Sequence, residues 1–333
     1  MRVWLASSGW NRPGSSMHTY AHRVQGALTA VGIEATPLPL ARRYNARRGG
    51  ELIPFVTKYL GRYPCPPESF VHDTDVAGTL RGVTVGTLHE MGAYHEPRRR
   101  SWTGRDAIRL TLRRSRKVIA VSEFLREEVR RIFGSRAAEK VSAIPVPFAP
   151  VPPGRLPVAY DVVWIGSPEP RKRIDLLLEA LRSLPKVRAA VRWKPFPTRP
   201  DLNEPVRAAL RRTPNATSLT DYLPDAEIDR LYRGSRCLVS TSEFEGFQAP
   251  VMEAYLRGCH VVLPDNELFP GRMMRGAPGV HFYPPGDPRS LGGAIEEALG
   301  DSPFVPSTAV VRAVSFPAVG EQLRACYQSV LPR

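Results

Sequence analysis

Cysteine is scarce in this chain. The four cysteines, Cys65, Cys237, Cys259 and Cys326, lie far apart and form no C-x-x-C pair. That spacing argues against a disulfide framework and against a cysteine-built structural zinc site, and it fits a reducing, cytoplasmic setting. Long apolar runs are missing as well: none reaches the roughly 18–20 residues that a membrane-spanning helix requires. The opening "MRVWLASSGW" breaks at Ser7, Ser8 and Gly9. It is too short for a secretory signal and reads as a buried first strand. Acidic residues are in deficit, 32 against 47 basic ones, which leaves a net charge of +15. Such a balance is explained either by an anionic partner or by an arginine-rich solvated surface. No helix-turn-helix, zinc module or aromatic-rich RNA motif accompanies it, so nucleic acid is not the expected partner.

What is present points to two domains. At 333 residues the chain exceeds the size at which one core stops growing. Its 42% apolar content suffices for packed cores. Short apolar runs alternate with helical patterns twice over. "MRVWLAS", "VTVGTLHE" and "KVIAVSEFLREEVRRIFG", with Ser122 as a helix N-cap, belong to the first series. "DVVWIGS", "RAAVRWK" and "RCLVS" belong to the second. Alternation of this kind predicts parallel sheets covered by helices. The proline-rich "PVPFAPVPPGRLP" can join neither a helix nor a central strand. The expected layout is therefore a domain over 1–148, a linker over 149–160 and a second domain over 161–316. A final helix near 317–333 is free to pack back on the first domain.

The stretch "EFEGFQAPVMEAYLRGCHVVLP" carries two glutamates, Glu245 and Glu253, around a loop that enters a helix. Pro250 suits the first helical position and Gly258 the stop. The main chain from Gly246 through Phe247 and Gln248 to Ala249 lies where a helix start favours an anion such as a diphosphate. The carboxylates would then accept hydroxyls of a sugar and a ribose on either side. A capping carboxylate and an exposed helix residue explain the same two glutamates equally well.

The segment resembles the E-x7-E signature of glycosyltransferase family 4, retaining nucleotide-sugar transferases of the GT-B fold. "DVVWIGSPEPRKRIDLLLEAL", "LTDYLPDAEIDRLYRGSRCLVSTSEFEGFQAPVMEAYLRGCHVVLPD" and "VHFYPPGDPRSLGGAIEEAL" resemble its second domain, and "KVIAVSEFLREEV" and "KVSAIPVPF" the close of its first. The resemblance implies two Rossmann-like, doubly wound α/β domains facing each other across a cleft. It implies that Glu245 binds donor-sugar hydroxyls and Glu253 the ribose. Arg171 and Lys172 would neutralise the diphosphate and the leaving nucleotide. Gly14, Gly166 and Ser167 would lie against the phosphates, and His89 near the anomeric carbon. No metal and no cofactor beyond the nucleotide-sugar donor is implied. The acceptor would be a sugar, a lipid-linked glycan or a small molecule. A catalytically weak nucleotide-sugar-binding relative and a basic nucleic-acid-binding protein are the alternatives.

The sequence departs from the family pattern at four places. Ser167 stands where the family has arginine and Arg173 where it has glycine. Gln248 and Ala249 replace Gly-Leu, and a Gly-Gly pair is reduced to Gly14. Asp73-Thr74-Asp75 matches the D-x-D pattern with which another glycosyltransferase fold holds a metal, but it lies away from the E-x7-E core and reads as a loop element. Finally, Arg98, Arg99, Arg100, Arg105, Arg109, Arg113, Arg114, Arg116 and Lys117 interleave with Ile108, Leu110 and Leu112. That spacing predicts a basic amphipathic helix suited to the inner, anionic face of a membrane.

Overall fold

The computed structural model describes residues 1–11, 15–39, 70–76, 84–95, 102–152, 154–197, 199–220, 223–266 and 271–331. Gly14 and Arg98 to Arg100 lie outside them. The chain forms two compact units, one of residues 1–150 with 312–333 and one of residues 151–311.

The first unit holds strands β1 (Arg2–Ser7), β2 (Glu34–Pro39), β3 (Phe70–Val76), β4 (Val85–Leu88), β5 (Lys117–Ala120) and β6 (Val141–Ala143). They pair in parallel in the order β2-β1-β3-β4-β5-β6. Its main helices are α1 (Ser16–Ala30), α2 (Trp102–Arg114) and α3 (Glu123–Phe133). Ser15 caps α1 and Ser122 caps α3, each side-chain oxygen accepting a main-chain N–H of the first turn. Val3, Leu5, Val85, Leu88, Val118 and Ile119 are fully shielded, which is why β1, β4 and β5 read as apolar runs rather than alternating ones, whereas β3 carries polar residues through its middle.

The second unit holds β7 (Tyr160–Gly166), β8 (Ala189–Trp193), β9 (Ala216–Leu219), β10 (Ser235–Val239), β11 (His260–Pro264) and β12 (Val280–Tyr283). These are parallel in the order β12-β11-β10-β7-β8-β9, two βαβ series running outward from a central pair. Helices α4 (Ile174–Arg182), α5 (Pro200–Arg211), α6 (Asp225–Arg233), α7 (Ala249–Tyr255) and α8 (Pro288–Gly300) cover the sheet. The order reverses between β7 and β10, so the loops that follow them diverge and leave a crevice at their C-terminal ends. Trp164, Leu177, Val191, Trp193, Val239, Val262 and Tyr283 pack into the core beneath.

The last helix, α9 (Phe316–Gln328), belongs to the first unit and packs on α1. The two helices meet through glycines. A Cβ at Gly320 would stand 2.3 Å from the Ala27 carbonyl oxygen, and one at Gly26 would stand 2.5 Å from the Phe316 ring. Any larger residue would force the pair apart.

Candidate functional site

The crevice between β7 and β10 gathers most of the residues singled out in the second domain. After β7 the chain makes a single 3-10 turn, Pro170–Lys172, which delivers Arg171 and Lys172. After β10 it runs through Ser240, Thr241 and Ser242 to Glu245. The loops are sewn together by the Glu243 N–H donating to the Arg171 carbonyl at 2.8 Å. The Thr241 hydroxyl donates to the Lys172 carbonyl at 2.6 Å. Trp164 Nε1 in turn donates to Thr241 Oγ1 at 3.1 Å.

Glu245 is buried and accepts both cations. Arg171 Nη1 lies 2.9 Å from its Oε1, and Lys172 Nζ pairs with the same oxygen. Burial pushes its carboxyl up, but Lys172 and then Arg171 outweigh that and hold it below its ordinary 4.5. It is therefore a carboxylate at neutral pH. Arg171 is only 7% exposed, and its other nitrogen, Nη2, donates to Glu169 Oε2 at 2.9 Å. Ser167 donates to that same Glu169 oxygen at 2.8 Å. Arg171 is thus a clamped cation between two carboxylates, while Lys172 stands at the open side of the cluster.

The other residues singled out from the sequence each have partners within their own unit. Glu253 lies in α7, half-buried, and its Oε2 accepts from the Tyr232 hydroxyl at 2.8 Å. Phe247 and Gln248 are buried in the loop that enters α7. Gln248 Oε1 accepts from Ser240, whereas its Nε2 has no partner among the described residues. Gly166 has a packing reason to be glycine: a Cβ there would lie 2.4 Å from the Trp164 ring. In the first domain, His89 follows β4, donates from Nε2 to the Thr74 carbonyl at 2.9 Å and meets Tyr20 edge-on. Burial lowers its pKa, so it is neutral with Nδ1 as acceptor.

Asp73, Thr74 and Asp75 lie in strand β3 and not in the loop the sequence suggested, and the two carboxylates bond within the sheet. Asp73 Oδ1 accepts the Asp75 N–H, and Asp75 Oδ1 accepts the Ser7 hydroxyl at 2.7 Å across neighbouring strands. The basic helix forms as α2, with Ala107, Ile108 and Leu112 buried and Arg109, Arg113 and Arg116 exposed at or just beyond it. Gly9 was not singled out from the sequence. A Cβ there would lie 2.4 Å from the His18 nitrogen, so only glycine fits where this turn crosses the start of α1. A second missed feature is the grouping of His260, His281 and Asp301, which come from three separate elements.

Two family models match the chain: glycosyltransferase family 4 over residues 16–150 and glycosyl transferases group 1 over residues 159–301. The O-antigen chain mannosyltransferase B of Escherichia coli is 29% identical over 207 residues, covering 56% of this chain and 54% of that protein. The chain thus spans about half the length of that relative. Among solved structures, HepE from Anabaena, with UDP and glucose bound, superposes with a TM-score of 0.68 at 18% identity. That match covers 99% of this chain and 100% of HepE. Sucrose-phosphate synthase from Thermosynechococcus elongatus gives 0.69 at 17%, covering 99% and 94%. A glycosyltransferase domain model matches in each unit, and with a six-stranded parallel sheet in both the chain has the two-domain α/β fold of the GT-B glycosyltransferases.

Proposed function

We propose that this protein transfers a sugar from a nucleotide-diphosphate sugar to a hydroxyl acceptor with retention of anomeric configuration. The observation that carries the reading is the ion-paired cluster of Glu245, Lys172 and Arg171 at the reversal point of the second sheet. A diphosphate entering that crevice competes with Glu245 for Lys172 and leaves the carboxylate, still paired with Arg171, to accept sugar hydroxyls. As the glycosidic bond breaks, charge develops on the departing phosphate, where Lys172 stabilises it. Arg171, fixed by Glu169, keeps the turn in place and adds a second positive charge. These cations supply the counter-charge without a divalent ion. Glu253, oriented by Tyr232, accepts the ribose hydroxyls. No carboxylate in this cluster is free of a cation to serve as a covalent nucleophile, so departure and attack take place on one face of the sugar.

UDP and glucose bound to HepE support a nucleotide-sugar donor, and the mannosyltransferase relative supports a sugar acceptor. A second reading, a nucleotide-sugar binder with weak transfer, is favoured by one observation: both sides of the Arg171 guanidinium are already engaged by carboxylates. A panel of nucleotide sugars assayed for transfer separates the two. Glu253→Gln should weaken nucleotide binding by about 1–2 kcal/mol, the scale of a charge-assisted hydrogen bond. Unchanged affinity in that variant would remove Glu253 from the donor site.

We also propose peripheral attachment through α2. No described helix is long and apolar enough to cross a membrane, whereas Arg109, Arg113 and Arg116 form an exposed basic face.

A further inference from the structure

The second sheet has chemistry at its other edge. His260 is the first residue of β11 and His281 the second of β12, so both sit at the N-terminal ends of their strands, opposite the Glu245 crevice. Asp301 closes the C-terminal end of α8 beside them. His260 Nδ1 lies 3.3 Å from His281 Nε2, and His281 Nε2 lies 3.6 Å from Asp301 Oδ2. All three atoms fall within 4.8 Å of one another. Zinc–ligand lengths of about 2.0–2.1 Å place the donors of a tetrahedral site roughly 3.3–3.4 Å apart, which the two closest separations approach.

The surroundings match those of a metal site rather than a solvated pair of imidazoles. Both histidines are 6% exposed. The ring nitrogen of His281 that faces away from the cluster, Nδ1, points at Glu297 Oε1 3.7 Å away. The main chain of Ser302 lies beside the His260 ring, which meets Phe304 edge-on. Outer carboxylate and carbonyl partners of this kind fix the tautomer and orientation of ligating histidines. Arg155 also lies near His260, but its guanidinium is taken up by the Tyr232 and Ser235 carbonyls. Asp301 is exposed, so solvent reaches the third ligand and supplies a fourth.

We propose that His260 Nδ1, His281 Nε2 and the Asp301 carboxylate bind one divalent transition-metal ion of the zinc class. Imidazole nitrogen selects for that class over magnesium or calcium, which prefer oxygen. The ion ties β11, β12 and the end of α8 together at the edge remote from donor chemistry. It is a stabilising site, separate from the transfer reaction.

The test uses the full chain, freed of any affinity tag and stripped with chelator, titrated calorimetrically with zinc chloride alone. One zinc per chain is expected, with Asp301→Asn and His281→Gln each weakening binding at least tenfold. Cobalt substituted for zinc should give the visible absorption of a four-coordinate ion in the wild type and lose it in both variants. Because Asp301 is exposed, Asp301→Asn keeps the fold, and it decides the matter alone if His281→Gln fails to fold. No zinc binding by the wild type, or binding and cobalt absorption unchanged in Asp301→Asn, would overturn the site. The trio would then be only a hydrogen-bonded pair of histidines beside a carboxylate.

Discussion

Arg173 and Gln248 share a backbone conformation that side chains avoid. Their φ angles are +44° and +58°, and no other non-glycine among the described residues has a positive φ. One follows Lys172 and the other follows Glu245 by three residues, so both of the loops that build the cation–carboxylate cluster carry a left-handed kink. These are also the two positions where the resembling family has glycine. The turns are kept even though the residue that makes them easy has been replaced.

Glycine at either position should therefore stabilise the protein. The left-handed conformation costs a side chain roughly 1–2 kcal/mol, and glycine gives back about 0.5–1 kcal/mol through the entropy of the unfolded chain. The expected net gain for Arg173→Gly is a few tenths of a kcal/mol, since its exposed pairs with Asp175 and Glu243 are lost too. Gln248→Gly should gain more, about 1 kcal/mol or above, because it also removes the buried, unpartnered Nε2. Urea melts of the two variants check this, and a loss of stability in Gln248→Gly would show that its amide has a role the ligand-free chain conceals.

Much of the fold was legible because the buried stretches of parallel strands read as unbroken apolar runs, as in "VVW" of β7 and "HVVLP" of β11. The E-x7-E segment was legible because a loop-to-helix entry has its own punctuation, Pro250 and Gly258. Other features were not. Arg171 sits two residues after Glu169, and nothing in that spacing says that the intervening turn buries both side chains. Nothing in the sequence says that Gly166 is also required by packing, since the Trp164 ring occupies the space a side chain would need. His260 and His281 meet only because their strands are neighbours in register, a relationship with no one-dimensional trace.

Glu245 should make the ligand-free protein sensitive to acid. Its folded pKa lies below the ordinary 4.5, so the carboxylate contributes stability above that pH and loses it as pH falls through the folded value. Glu245→Gln should be less stable at neutral pH by about 3 kcal/mol, the lower end of what breaking a buried ion pair costs. It should also lose part of the acid-dependent limb. Free UDP should bind this variant at least as tightly as the wild type, because the competing carboxylate is gone. Chemical denaturation between pH 3 and 7, with calorimetry for UDP, reads all three; much weaker UDP binding would contradict the competition.

His72 gives a separate pH signature. It is completely buried in the first unit. Tyr327 Oη lies 2.7 Å from Nδ1 and donates to it, while Nε2 donates to Thr87 Oγ1 at 2.9 Å. The Thr87 hydroxyl passes on to the Asp73 carbonyl. The neutral ring satisfies every partner, and burial, with His89 nearby, pushes its pKa down to about 3. Because the unfolded chain takes up this proton near 6.5 and the folded one does not, stability is full above 6.5 and falls from there toward pH 3. The slope is up to about 1.4 kcal/mol per pH unit. Removal of α9's hydroxyl by Tyr327→Phe should raise the His72 pKa only slightly, as burial dominates, whereas His72→Gln should flatten the profile between pH 4 and 6.5. A profile identical to the wild type would place the titration elsewhere.

The exposed face of α2 should hold the protein to anionic vesicles at low salt and release it at high salt. Each arginine near such a surface contributes on the order of 1 kcal/mol, enough together for reversible attachment. Replacing Arg109, Arg113 and Arg116 by Gln should abolish sedimentation with the vesicles. Sedimentation that survives the triple change would assign the attachment to another surface.

The stereochemistry of transfer tests the central reading most directly. The purified chain is offered α-linked UDP- and GDP-sugars with a sugar acceptor, and the anomeric configuration of the product is read by proton NMR, beside the rate for Lys172→Ala. The account predicts an α-linked product and a loss of roughly 10²-fold or more on removing Lys172, comparable to deleting an electrostatic stabiliser of the transition state. A β-linked product, or transfer by Lys172→Ala at the wild-type rate, would contradict it.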